Sequence, residues 1–196
     1  MKHSNTTREK ILDTAFEEVY KRGYSGASIN KILEEAGVPK GSLYHFFPSK
    51  KELVLAVIKE RIIPKIDRFF DFTIHPEENT IETLERVFQK MTIHEFLIKN
   101  GCPLHKLIVE IAPLDKTFEN ILNDQFQKIV TDLSRLLKQG IEKEELKPFD
   151  TSSMARFLVT STWGELSLPP SQSSVESFKK HVQHLLTILQ NYKTTN

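Results

Sequence analysis

The residues Lys40, Gly41, Ser42, Tyr44, His45 and Lys50 hold the densest chemistry in this chain. They are small, polar or basic, and they alternate with the apolar Leu43, Phe46 and Phe47. That mixture suits the reading of a patterned polyanion. A glycine lets a backbone come close. A serine hydroxyl donates to, or accepts from, a base edge. Lys40, Tyr44, His45 and Lys50 are of types that contact phosphates, and a lysine in a helix's first turn adds to N–H groups that already attract anions. Ser28 stands where another helix N-terminus would meet the same phosphate backbone. The plain alternative is a solvated polar face, and Tyr44 among small residues argues against it.

Three short elements must position these side chains. Ile29, Ile32, Leu33 and Ala36 fall at i, i+3, i+4 and i+7, one face of a helix, with Ser28 before it as N-cap. Gly37 follows, where a chain leaving a helix needs positive φ. Pro39 suits the first positions of the next helix, which Leu43, Phe46 and Phe47 anchor. Ser49 to Glu52 reads as a capping box, so a third helix starts at about Lys50. Helix, glycine turn, helix is the layout of a helix-turn-helix DNA reader.

At these residues the chain resembles the DNA-binding domain of the TetR family of bacterial transcriptional regulators. The similarity runs through TREKILDTAFEEVYKRGYSGASINKI (Thr7 to Ile32) and AGVPKGSLYHFFPSKKEL (Ala36 to Leu53), about a quarter of the chain. One departure is visible. Many relatives carry His or Tyr where this chain has Phe46, so a polar role at that position is absent. The resemblance implies a ligand-responsive DNA-binding regulator, most simply a repressor. It also implies a homodimer whose last two helices pair with their twofold mates as a four-helix bundle. The expected partners are double-stranded DNA with a palindromic operator and a small-molecule effector, with no cofactor. The rival reading is a helical small-molecule-binding protein or enzyme whose helix-turn-helix is only scaffold.

Composition agrees with a cytoplasmic all-α protein. Hydrophobic residues make up 39% and charged residues 27%, ordinary for a globular chain. No apolar run approaches the ~18 residues of a membrane span, and MKHSNTTREK lacks the apolar core of a secretory signal. A single cysteine excludes an intrachain disulfide. Residues 1–65 carry 12 Lys/Arg against 8 Asp/Glu, and the remainder 15 against 18, so the basic unit is N-terminal. The expected division is a three-helix DNA-binding domain at 1–48 and an effector-binding and dimerisation domain at 49–196, about nine helices in all.

Periodicity places a first helix from Thr6 or Thr7 to Arg22, ended by Gly23, and a connecting helix from Lys50 to about Phe72, kinked at Pro64. Further helices are expected from Thr80 to Asn100, with Phe96 inward, from Pro103 to Ala112, and from Asp115 to Gly140. Two more run from Asp150 or Thr151 to Pro169-Pro170, and from a capping box at Ser173 to Glu176 onward.

Within the body, Phe88, Phe126, Trp163, His105 and Cys102 are candidate effector contacts, although core packing is the commoner fate of each aromatic. Cys102 begins a helix after Gly101, with Lys106 one turn on. A subgroup of the resembled family uses such a thiol as a sensor, yet Pro103 removes an N–H that would stabilise a thiolate. The dimer interface is expected on Met154, Phe157, Ser161 and Gly164 together with Phe178, Val182, Leu185 and Leu189, two wide apolar faces. His181 and His184 are spaced for a metal, but no carboxylate or thiol completes a set, so none is assigned. No P-loop, GxGxxG or HExxH is present, and GYSGAS at Gly23 to Ser28 fails the nucleophile-elbow spacing. No enzyme is expected.

Overall fold

Helices connected by short loops make up the computed structural model, which describes residues 2–169 and 171–194. In chain order they are α1 (Lys2–Gly26), α2 (Ile29–Ala36), α3 (Lys40–Phe46), α4 (Lys50–Val57), a π turn (Ile58–Ile62) and α5 (Ile63–Phe69). There follow α6 (Thr80–Thr92), α7 (Glu95–Asn100), α8 (Pro103–Glu110), α9 (Lys116–Glu142), α10 (Thr151–Glu165) and α11 (Val175–Gln190). The protein is all-α, with a helix-turn-helix at its N-terminal end. Among the described residues no helix is long and apolar enough to cross a membrane.

The chain forms two compact units, neither continuous in sequence. One runs to Arg68 and takes in Pro103–Leu122; the other comprises Phe69–Cys102 and Asn123 onward. The packing units do not divide at the expected 48/49 boundary, since α4, α8 and α5 up to Arg68 belong to the same unit as α1 to α3.

In the first unit, α1 buries Ile11, Leu12, Ala15, Phe16, Val19 and Tyr20, the stripe that 3-4 spacing predicts. α2, α3 and α4 pack against α1, and Ile32 and Leu33 of α2, Leu43 of α3, and Leu53, Val54 and Val57 of α4 are all buried. In the second unit α11 packs on α6. Gly140 of α9 allows a close approach: a Cβ there would stand 2.6 Å from Thr80 Oγ1. The C-terminal segment is pinned to the α9–α10 loop. The Lys147 N–H donates to the Tyr192 carbonyl (2.7 Å), and the Thr194 N–H to that of Glu145 (3.1 Å).

Several element ends differ from expectation. α1 begins before Thr6 and Thr7. α5 stops at Phe69 rather than Phe72. Asn79, not Thr80, caps α6, its side chain accepting from Ile81 and Glu82 while Glu82 returns the bond. The expected single helix from Thr80 to Asn100 is two. The Thr92 hydroxyl donates to the Gln89 carbonyl, the helix ends there, and Phe96 on α7 is exposed rather than inward. α11 is capped by Ser174 with Ser177, one place later than predicted. α10 ends at Glu165, ahead of Pro169; Pro170 lies outside the described residues.

The apolar side of α11 is also reassigned. Phe178, Val182, Leu185 and Leu189 are at most 3% exposed within one protomer, so they are core and not a dimer face. A wide apolar stripe shows that a helix is covered; it does not say by what. On α10 the expected interface residues stay open: Phe157 is 45% exposed, Gly164 is exposed, and Met154 and Ser161 are partly so.

Candidate nucleic-acid interface

Local rules build the reader. Ser28 caps α2 by accepting from the Lys31 N–H at 3.4 Å. Gly37 closes it in the left-handed conformation, φ 64°, which glycine adopts without a Cβ penalty. Pro39, at φ −69° and ψ 151°, is the residue before α3 rather than its first. Leu43 (0% exposed) and Phe47 (3%) fix α3 from below. With those two buried, Lys40, Gly41, Tyr44 and His45 face outward and Ser42 is half-buried.

Two features of this face lack an intramolecular purpose. Tyr44 leaves 42% of its surface in solvent, an unusual cost for an aromatic. At Gly41 an added Cβ would meet nothing within 4 Å. Nothing in the protein itself requires glycine there; a partner pressed against α3 would. Lys40 Nζ lies 5.9 Å from the Tyr44 ring centroid, so cation and ring share one patch. Thr7 of α1 joins Gly41, Ser42, His45 and Phe46 around a shallow hollow. Sequence reading overlooked Thr7, because it treated that residue as a helix cap.

Lys50 is more constrained than its sequence suggests. Its ammonium donates to the Ser25 carbonyl at 3.2 Å and stands 5.1 Å from the Tyr24 ring centroid. Glu18, 2% exposed, was also missed. Its carboxylate accepts from the Ser28 N–H (3.4 Å) and pairs with Arg22 (3.1 Å) and Lys31 (3.3 Å), so a buried anion ties α1 to the start of α2. All seven expected DNA contacts fall in one compact unit.

A model of the bacterial regulatory proteins of the tetR family matches residues 11–57. An HTH-type transcriptional regulator in the lacX 3′ region of Lactococcus lactis subsp. lactis is 35% identical over 136 residues, 66% of this chain and 69% of that protein. The chain belongs to the TetR family. As a TetR-family protein it is a DNA-binding transcriptional regulator. The HTH-type transcriptional repressor NemR of Escherichia coli is 28% identical over 145 residues, 72% of each chain. In fold, the TetR-family regulator from Cytophaga hutchinsonii is similar with a TM-score of 0.87 at 17% identity, covering 100% of this chain and 99% of that one.

The five effector candidates of this TetR-family chain are dispersed. Phe126 and Trp163 meet in the second unit with ring centroids 5.2 Å apart, and Arg156 lies 5.3 Å from the Phe126 ring. Phe88 and Cys102 are buried in that unit. His105 belongs to the first unit, where burial holds its imidazole below the usual protonation range. No group of three His, Cys, Asp or Glu among the described residues could hold a metal.

Proposed function

We propose that this regulator is a cytoplasmic repressor that binds a palindromic operator as a homodimer and leaves it when a small molecule enters the body. The observation that carries the reading is the outward face of α3: an exposed Tyr44 beside Lys40, and a Gly41 that the protein's own packing does not require. Recognition helices present such side chains to the major groove, and a twofold dimer reads two half-sites. Repression is supported by the 28% identity to a named repressor, NemR. Ser28, Ser42, His45 and Lys50 complete the DNA contacts, with residues 1–48 as reader and 49–196 as effector and dimer body. Phe126 and Trp163 are the first effector contacts to test, ahead of Phe88, His105 and Cys102. Met154, Phe157, Ser161 and Gly164 face the partner.

The test is selection from a randomised duplex library with purified protein. The enriched duplexes should contain an inverted repeat, and binding should weaken steeply with salt. Tyr44→Ala should bind them less well while keeping its helicity and its dimer. Failure to enrich any sequence, or full affinity in Tyr44→Ala, would remove the reading.

A further inference from the structure

Where α1 breaks, α8 supplies both halves of the missing bond. In an unbroken helix the Tyr24 N–H would donate to the Tyr20 carbonyl, i to i−4. Gly23 interrupts that pattern at φ 71° and ψ −172°, a region essentially reserved for glycine. The Tyr24 N–H instead donates to Glu110 Oε2 at 2.7 Å. The Tyr20 carbonyl accepts from Lys106 Nζ at 3.1 Å. Lys106 and Glu110 are four apart on α8, so one helix face presents a cation to the carbonyl and an anion to the amide. Glu110 Oε1 also takes the Ser25 N–H, at 2.7 Å.

The fit is tight and polarised. A Cβ on Gly23 would meet the Glu110 carboxylate and displace it from the turn, and the φ of 71° independently demands glycine. Burial opposes ionisation of Glu110. The Ser25 and Tyr24 N–H groups and the charge of Lys50 outweigh it and hold the carboxyl below the ordinary range. The clasped turn then runs straight into the reader. The Ser25 carbonyl holds the Lys50 ammonium at 3.2 Å, and Ser28, three residues on, caps α2.

We propose that Glu110 is a positioning residue for DNA binding: through Tyr24 and Ser25 it fixes the turn that aims Ser28 and Lys50 at the phosphate backbone. Glu110 touches no DNA. It makes the reader's geometry depend on where α8 sits, and a shift of α8 withdraws a bidentate acceptor from the turn. Ordering Lys50 in advance spares the rotamer freedom that a flexible lysine would lose on binding.

The inference rests on α3 and its neighbours reading DNA, so the probe is a duplex that wild-type protein has enriched from a randomised library. Glu110→Gln keeps the shape but offers one N–H a donor in place of an acceptor. Its affinity for that duplex should fall about tenfold, within the range of ordinary site-to-site couplings, at a temperature where circular dichroism and sedimentation show a folded dimer. Its log K against log salt slope should flatten by about one, as if one phosphate contact were lost. Lys50→Met should give the same flattening alone and add nothing on the Glu110→Gln background. A folded Glu110→Gln dimer with wild-type affinity and slope, or slopes that add in the double variant, would overturn the proposal and leave the DNA reading standing. If wild-type protein enriches no duplex, the reading itself fails and takes this inference with it.

Discussion

Arg8 forks onto Glu60, its Nη1 donating to Oε2 at 2.8 Å, and so ties the start of α1 to the π turn. The π turn has a local cause. Pro64 has no N–H for the carbonyl of Glu60, four residues back. That carbonyl is satisfied by Arg61 Nη1 at 3.1 Å, while Arg61 Nε reaches Asp13 of α1 at 2.7 Å. Arg8 also stands 5.3 Å from the ring centroid of Phe47, just past α3. One arginine thus links α1, the end of the recognition helix and the π turn.

Glu60→Gln should therefore cost at most about 1 kcal/mol, because the pair is partly exposed and screened. The loss should shrink as salt is added. The hydrogen bond from Arg8 outweighs desolvation and lowers the Glu60 protonation range. Its contribution is present above the ordinary carboxylate value and fades as pH falls through the lowered one. Arg8→Ala loses the Phe47 contact as well and should cost more. Urea titrations of both variants at two salt concentrations check the order; Arg8→Ala at or below Glu60→Gln would contradict it.

The two ends of the expected dimer face should separate experimentally. Phe157→Arg places a charge on an exposed side chain of α10, so the protomer should stay folded and sediment as a monomer. Leu189→Arg puts an unpaired charge at a site that is 0% exposed within one chain, at a cost of several kcal/mol, and should unfold it. A folded monomer from Leu189→Arg, or an intact dimer from Phe157→Arg, would return the interface to α11.

What sequence could reveal follows the range of the forces involved. The Ser28 cap, the Gly37 turn and the inward pair Leu43 and Phe47 depend on neighbours a few positions away, and each was legible. The Glu110 clasp joins residues 86 positions apart in sequence and leaves no local trace. Gly23 read as a helix end and is a break inside α1, but its neighbour Glu110 was invisible. Glu18 gave no signal in the sequence, because its pairing with Ser28 and Lys31 exists only once α1 and α2 pack. On α11 the period was right and the partner wrong, since one apolar stripe serves a core and an interface equally.

Cys102 is 4% exposed, between Gly101 at φ 75° and the buried Pro103. Burial blocks reagents, so it should behave as a small hydrophobe. A disulfide reagent should label native protein orders of magnitude more slowly than protein in urea, with the native rate set by local opening. Cys102→Ala should cost about 1 kcal/mol, an ordinary core trimming. Operator release should then be insensitive to mild oxidants. Fast stoichiometric labelling of the native dimer would reverse this and make the thiol an effector site.

His181 gives the sharpest pH prediction. Its Nε2 is buried with no hydrogen-bond partner among the described residues, and its ring stacks on Phe178 at 6.3 Å. Burial lowers its protonation range; Glu165, 4.0 Å from Nδ1, opposes that, and His184 adds to it. The folded state therefore binds a proton less readily than the unfolded chain, whose imidazole titrates near about 6.5. Stability from the neutral ring is present above that value and declines as pH falls below it. His181→Leu keeps an apolar side chain against Phe178 and removes the unpaired nitrogen. It should gain about 1 kcal/mol at neutral pH. Its stability should also fall less between pH ~6.5 and ~5 than wild type's, because the group that titrates there is gone. Urea unfolding at a series of pH values reads both effects. Parallel wild-type and variant curves across that window would show that His181 finds a partner that compensates its proton.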